Sequence, residues 1–463
     1  MRYGTYILIV LLLGLHFFFL ANLQFTAWPE MLSYSYLRNH GFLIYKDMIH
    51  PYPPLLTMAL SWAYTLFGYH LWVLKSVAWA VILVSDILVF IITRSTTRRD
   101  APAFFAVAAY IFLQPFLEGN MLWFDIAIVL PILLGTLFLL RHNLFLAGLF
   151  FAAAALTKQT AGLYLLFTIL YLLLIKKTSF NQLKYLFYGP LILGIPLLIR
   201  LLQEGALVDF LNWTIIYPLT QFGKFPGYVH MEVSPGQAFI SIFLLVPLLI
   251  IIIKNKEILK DSVFQVLFPF LVIALIIIYP RFSFFHFQTA LVFLVILYGL
   301  LFNQMKIKRF KLLLITSYLL LIFFAIHRPL LSSEWGRETR FYAKEDLELA
   351  QTIQSKVPQS EKVFLLGLHS GLYVMAGRVP PKRWTDNFGW YLEIPGVQEE
   401  IIARWENSSA GGPPHFIFWR TPSPGNWFDL GTYQPQKIVR WIEEHYTKEE
   451  EVKPGVWLWE RAK

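Results

Sequence analysis

Apolar residues in this chain collect into long runs, and polar ones into the stretches between them. Tyr6 to Leu23 and Ser241 to Ile253 are examples. A helix needs roughly 20 mostly apolar residues to cross the hydrocarbon of a bilayer, and several runs reach or approach that length. The pattern predicts about 11 spans, near 5–23, 71–93, 101–116, 122–140, 144–156, 161–175, 185–201, 237–253, 262–278, 288–303 and 312–326. The fifth and sixth are short, as in a tilted or re-entrant hairpin. The first resembles a signal peptide, with Arg2 ahead of it. It exceeds a usual h-region, and Phe25-Thr26-Ala27 is a poor cleavage site, so it is expected to stay as an anchor.

Three polar segments break the pattern. The loop from about Gln24 to His70 is rich in Tyr, Pro and His, and the loop from about Leu202 to Pro235 carries Trp213, Tyr217, Lys224 and His230. From His327 onward, a polar helix is expected over Ala343 to Ser355. Short strands are expected at Val363 to Leu366, His415 to Trp419 and Val456 to Trp459, with Gly and Pro between. The expectation is a polytopic α-helical membrane protein. Residues 1–326 form its transmembrane domain and 327–463 a small extracytoplasmic C-terminal α/β domain.

Charge gives this layout a direction. Arg2, Arg94, Arg98, Arg99, Arg141, Lys176, Lys177, Lys184, Lys254, Lys256, Lys260, Lys306, Lys308, Arg309 and Lys311 make 15 basic residues in one set of short loops. The opposite set, up to residue 326, has 7: Arg38, Lys46, Lys75, Lys158, Arg200, Lys224 and Arg281. Short basic loops stay in the cytoplasm. The N-terminus is therefore expected inside and, with an odd number of spans, the C-terminal domain outside a plasma (inner) membrane. The net charge of +10 belongs to the same signal. From residue 327 onward, 17 basic residues meet 18 acidic ones, and the excess lies entirely in the membrane part, so nucleic acid is not an expected partner. The composition, 57% apolar and 15% charged, departs from soluble domains in the same sense. With no cysteine, disulfides, thiolate metal sites and cysteine nucleophiles are excluded.

The outer segments hold the candidate chemistry. Trp28-Pro29-Glu30 follows the first span, then Gly41-Phe-Leu-Ile-Tyr45-Lys-Asp47 and His50-Pro-Tyr-Pro-Pro54-Leu. Glu30 and Asp47 are the acids of this loop. A carboxylate there suits a general base towards an acceptor hydroxyl, although a solvated interfacial acid needs no function. Asp125 lies at the outer start of the fourth span, where the helix dipole also favours an acid. Lys158 sits between two short apolar stretches, as a point charge suited to phosphate or as a snorkelling side chain. Arg281 and His286 share a third outer cluster; Arg binds phosphate oxygens in pairs and is also an ordinary interfacial anchor. Asp86 lies inside the second span and is expected to face other helices in a structural hydrogen bond. No ligand cluster calls a metal by spacing.

These residues together resemble the GT-C superfamily of integral-membrane glycosyltransferases, in the branch of protein O-mannosyltransferases and the lipid A aminoarabinose transferase. The resemblance rests on Glu30 after the first span and on the Gly-x-x-x-Tyr-x-Asp and Pro-Pro-Leu elements at Gly41, Tyr45, Asp47, Pro53, Pro54 and Leu55. Asp125 and the Leu-Thr-Lys-x-x-x-Gly-Leu around Lys158 also fit. It covers roughly 1–326. It implies transfer of a hexosyl or pentosyl group from a polyprenyl-phosphate sugar donor to a lipid, glycan or protein acceptor on the outer face of the membrane, in the cell envelope. A loop acid would be the base or position the acceptor, and the basic residues would hold the donor phosphate. Glu30, Asp47 and Asp125 are then the catalytic candidates, and Lys158, Arg281, His286, His50 and Tyr45 the substrate-binding ones. The family often carries Asp-Glu after the first span. Here Pro29 holds the first position, so Glu30 matches the second acid and Asp47 is the reserve base. The resemblance implies no certain cofactor and leaves a divalent metal open, since relatives differ. Two other classes compete: a lipid-linked sugar flippase or transporter, and a non-catalytic polysaccharide-assembly protein whose tail tryptophans (Trp384, Trp390, Trp405, Trp419, Trp427, Trp441, Trp457 and Trp459) stack on sugars.

Overall fold

The structure, a computed structural model, describes residues 3–225, 228–304, 334–385, 391–407, 412–420 and 435–462, and part of 312–327. Much of the last expected span, the loop bases Lys306, Lys308, Arg309 and Lys311, and Trp390 and Trp427 lie outside the described residues.

The other ten apolar runs are helical. Five helices are long and apolar enough to cross a membrane: Tyr3–Asn22, Leu71–Thr97, Phe180–Gln203, Pro235–Lys254 and Phe284–Asn303. The remaining apolar runs are shorter: Asp100–Leu113, Phe124–Leu140, Leu144–Ala155, Gln159–Ile175 and Phe264–Ile276. Length and composition thus support five crossings, and the total of about 11 rests on the shorter helices.

The chain divides into two compact units. The first comprises Met1–Phe25, Lys75–Leu197 and Val229–Arg337. Its centre is the helix Phe284–Gln304, in which every residue from Ala290 to Tyr298 is fully buried. A helix that is apolar all round belongs in the middle of a bundle. Within that buried stretch the Tyr298 hydroxyl is polar, and it has a use. Pro247 interrupts the helix Pro235–Lys254, because proline has no N–H to donate. Beside that break, the Tyr298 hydroxyl enters the backbone ladder, donating to Leu244 O at 2.7 Å and accepting from Leu248 N at 3.1 Å. Close packing also dictates Gly148. A Cβ there would collide with the Leu186 carbonyl, so the helices Leu144–Ala155 and Phe180–Gln203 meet backbone to backbone.

The second unit comprises Thr26–Leu74, Leu198–Tyr228 and Glu338–Lys463. The first polar loop is itself structured, with helices Pro29–Asn39 and Leu55–Phe67 packed together. Gly41 explains how the first of these ends. It has φ +81°, Gly41 N donates to Arg38 O, and Phe42 N donates to Leu37 O. This left-handed C-terminal motif favours glycine. The tail forms a four-stranded sheet from β1 (Val363–Leu366), β2 (Phe416–Arg420), β3 (Tyr446–Lys453) and β4 (Val456–Arg461), in the order β1-β2-β4-β3. β1 and β2 run parallel; β4 is antiparallel to β2 and β3. The expected tail helix is present as Lys344–Lys356. Trp384, Trp405 and Trp441 are buried, as core residues are.

Loop and tail are tied within this unit. Ile49 N donates to Trp384 O at 2.8 Å and Trp384 N to Asp47 O at 2.9 Å. Ser33 Oγ and Ser370 Oγ are 2.9 Å apart. Arg383, only 6% exposed, donates to Tyr45 O at 2.6 Å and pairs with Glu400 at 3.1 Å.

Candidate functional site

In the first unit three helix beginnings place three of the expected side chains together. Asp125 stands in the first turn of Phe124–Ala127, which follows Trp123 in extended conformation. Lys158 is the extended residue that caps the short turn Gln159–Ala161. His286 lies in the first turn of Phe284–Gln304. The carboxylate joins them. Asp125 Oδ1 accepts from Lys158 Nζ at 2.6 Å, and Oδ2 lies 2.8 Å from His286 Nδ1. Thr289 Oγ1 donates to Asp125 O at 3.2 Å. Asp125 is fully buried, while the side chains of Lys158 and His286 are 11% and 15% exposed.

Burying a carboxylate is costly unless it is paired and hydrogen-bonded. Here both oxygens are. The pairing also sets the chemistry of the partners. Facing a carboxylate, Nδ1 of His286 carries its proton, which leaves Nε2 as the ring nitrogen open towards a ligand. Lys158 uses one of its three N–H bonds on Asp125, and among the described residues no other polar partner claims the rest. One anion thus holds two donors at an incompletely sealed spot, an arrangement suited to a phosphate or to a leaving oxygen.

Glu118 was not singled out in the sequence, and it supports this cluster. It adopts φ +54° in the irregular turn Pro115–Gly119, and its Oε2 accepts from Phe284 N at 3.1 Å, which fixes the start of the helix that carries His286. Arg281 lies five residues before His286 in the connection to the same helix. Its backbone is bridged to His230, with Phe282 N donating to His230 O at 2.8 Å. Its side chain has no direct bond to Asp125 among those described. Asp86 does face helices, as expected: its Oδ2 is 2.7 Å from Nδ1 of the buried His16, whose Nε2 meets Gln114 Oε1 at 3.1 Å.

The second unit holds the other candidates. Glu30 is 3% exposed, in the first turn of Pro29–Asn39. Pro29 opens that helix, where its fixed φ and missing N–H cost nothing, and the carboxylate sits at the positive end of the helix dipole. Asp47 is 6% exposed and already engaged: Oδ2 accepts from Leu43 N at 3.0 Å and Lys382 Nζ at 2.9 Å. Tyr45 is buried at φ +73°, and its hydroxyl donates to Tyr52 O at 2.8 Å; burial pushes that hydroxyl well above the ordinary tyrosine range. His50 is fully buried, with Nδ1 2.7 Å from Tyr52 O and Nε2 2.8 Å from Thr57 Oγ1. Burial pushes its pKa down to about 4, only partly opposed by the bond to Tyr52 O, so it is neutral at pH 7. Tyr45 and His50 also pack against one another, ring centres 5.6 Å apart. This trio reads as the frame of the loop. Lys382 and Arg383, which hold it, lie 335 or more residues further along the chain and left no signal in the sequence.

Among the described residues, no group of three or more His, Asp or Glu side chains is placed to hold a metal ion.

No protein-family model matches the chain, and no curated protein matches it in sequence. Solved structures do match its fold. ArnT from Cupriavidus metallidurans, solved bound to undecaprenyl phosphate, superposes with TM-score 0.59 at 13% identity, covering 99% of this chain and 98% of that one. The oligosaccharyltransferase of Archaeoglobus fulgidus in its apo form gives TM-score 0.59 at 12% identity, over 100% of this chain and 75% of the other. The archaeal oligosaccharyltransferase AglB from the same organism, in complex with an inhibitory peptide and a dolichol-phosphate, gives 0.56 at 12% identity. The chain therefore shares its fold with ArnT and the archaeal oligosaccharyltransferase, and five of its helices are long and apolar enough to cross a membrane.

Proposed function

We propose that this chain is a membrane glycosyltransferase that moves a sugar from a polyprenyl-phosphate donor to a lipid, glycan or protein acceptor at the outer face of the membrane. The observation that carries the reading is the Asp125–Lys158–His286 cluster, in a chain that matches ArnT from end to end. ArnT was solved with undecaprenyl phosphate and AglB with a dolichol-phosphate. A phosphate on a long lipid is the shared chemistry, and Lys158, His286 and Arg281 are the donors that would receive it here.

The acceptor oxygen attacks C1 of the sugar. The C1–O bond to phosphate breaks, and the polyprenyl phosphate leaves with that electron pair. Lys158 and Arg281 offset the charge that develops on the leaving phosphate. His286, oriented by Asp125, donates a hydrogen bond to the same group through Nε2 when protonated. The acceptor proton goes to a carboxylate. Glu30, the acid that follows the first span in the motif, is assigned that role, with Asp47 as the reserve base. Tyr45 and His50 would shape the acceptor loop without taking part in proton transfer.

Purified protein supplied with a radiolabelled polyprenyl-phosphate sugar and an envelope extract as acceptor tests the reading. Glu30→Gln and Lys158→Ala are expected to lower transfer at least 100-fold, and Asp47→Asn less than 10-fold. Full transfer by the first two variants would sink the assignment. Loss in Asp47→Asn alone would move the base to Asp47.

A further inference from the structure

A cavity lies in the first unit, at the other end of the helical stretch that begins with Asp125. Arg141 follows the last turn of that stretch, roughly 24 Å from Asp125 at 1.5 Å per residue. The cavity measures about 710 Å³. The turn Arg141–His142–Asn143, the turn after Lys176 and the segment from Ser262 to Val266 enclose it. Its composition is lopsided. Arg141, His142 and Lys176 line it, and no Asp or Glu does. Among the described residues, none of these three side chains has a hydrogen bond or an ion pair; Lys176 only stands 5.6 Å above the Tyr171 ring. The helix Leu144–Ala155 also starts on this wall, so its positive end adds to the field. Leu140, Leu172 and Val266 add an apolar wall.

Arg141 and Lys176, cations without counter-charges beside an apolar wall, call for an amphiphile with an anionic head. The volume is in the range of small-ligand sites. Arginine offers two parallel N–H bonds to a phosphate, and lysine a point charge beside it. Scattered snorkelling residues would satisfy the loop charge bias without enclosing a cavity. We propose that this cavity binds the phosphate headgroup of an anionic glycerophospholipid from the leaflet facing the basic loops, with the acyl chains running along the apolar wall. It is a lipid site separate from the transfer chemistry and does not depend on it.

Native mass spectrometry of the full chain in detergent reads this directly. Phosphatidylglycerol, phosphatidylcholine and soluble glycerol phosphate serve as probes. Phosphatidylglycerol adducts are expected to survive collision energies that strip phosphatidylcholine. Arg141→Ala/Lys176→Ala is expected to reduce their occupancy at least 5-fold, while Lys254→Ala/Lys256→Ala, an equal loss of two charges outside the cavity, leaves it unchanged. Glycerol phosphate is expected to give no adduct. Should the cavity double variant melt early, Lys176→Gln alone, at an exposed position, is expected to reduce occupancy at least 2-fold. Equal retention of both lipids, or undiminished adducts in the cavity variants, overturns the proposal. Saturation by glycerol phosphate overturns it too, since the site would then take a free phosphate.

Discussion

Asp125 is a fully buried carboxylate whose partners are 33 and 161 residues away. Its environment makes it a strong test of the site. Removing one member of a buried ion pair typically costs 3–5 kcal/mol, because the other charge is left uncompensated. Asp125→Ala is therefore expected to lower stability by about that amount, seen as a fall in melting temperature in detergent. Asp125→Ala/Lys158→Met is expected to recover part of the loss, since it removes both charges. A single variant that melts with the parent would show that the pair does not form. His50 gives a second prediction, with the opposite dependence on charge. Its folded pKa of about 4 lies below the ordinary 6.5. A depressed histidine contributes stability above 6.5, and that stability is lost as pH falls towards 4. By linkage the loss is roughly 2 kcal/mol at pH 5. The melting temperature of the parent is expected to drop between pH 7 and pH 5, and His50→Gln is expected to flatten that slope. An equal slope in both would refute the assignment. The sequence shows these residues as separate letters. Burial, which decides their protonation, follows from contacts with distant residues.

Among elements, the apolar runs were the legible part, because a span announces itself by length and composition. Val363 to Leu366, the expected strand at His415 to Trp419 and Val456 to Trp459 were legible in the same way, as short apolar runs bounded by Gly and Pro. The strand Tyr446–Lys453 was not. Its sequence, TKEEEVK after Tyr446, is charged on both faces, and it exists as a sheet edge paired to β4 on one side only. Edge strands tolerate charge that central strands do not. The helices Pro29–Asn39 and Leu55–Phe67 were likewise read as loop, since prolines at 29, 51, 53 and 54 mark turns. In the fold, Pro29 opens a helix and Pro54 caps one. Within the bundle, the contact of Tyr298 with the broken ladder at Pro247 carries its own expectation. Tyr298→Phe keeps the ring and removes the hydroxyl, and with it the two bonds to Leu248 N–H and Leu244 C=O beside a proline. A buried hydrogen bond contributes about 0.5–1.5 kcal/mol net. Thermal melting should show that loss with the secondary-structure content unchanged. A shift of less than a degree would mean that water replaces the hydroxyl.

At the scale of the molecule, the candidate site was legible only through topology. No spacing joins Asp125 to Lys158 and His286; what grouped them beforehand was the loop charge bias, which assigned all three to one side of the membrane. Contact between them in the structure agrees with that grouping, and it leaves the direction of insertion to be measured. The chain has no cysteine, so single cysteines can be placed without background. Ser179 and Ser360 are both exposed, the first in a basic loop and the second in the tail. In intact cells whose outer barrier has been made permeable, a membrane-impermeant maleimide is expected to label Ser360→Cys and to spare Ser179→Cys. After lysis both should label. The reverse pattern would place the tail and the Asp125 cluster inside. It would also turn the donor phosphate site towards the cytoplasm, and a reaction at the outer face would no longer follow. Labelling of both sites in intact cells would mean an even number of crossings between them, so that the apolar runs from Phe180 onward, the short helix Phe264–Ile276 and the run at 312–326 among them, do not all span. The experiment therefore decides two matters together: which membrane face supplies the donor, and whether the number of crossings between residues 179 and 360 is odd.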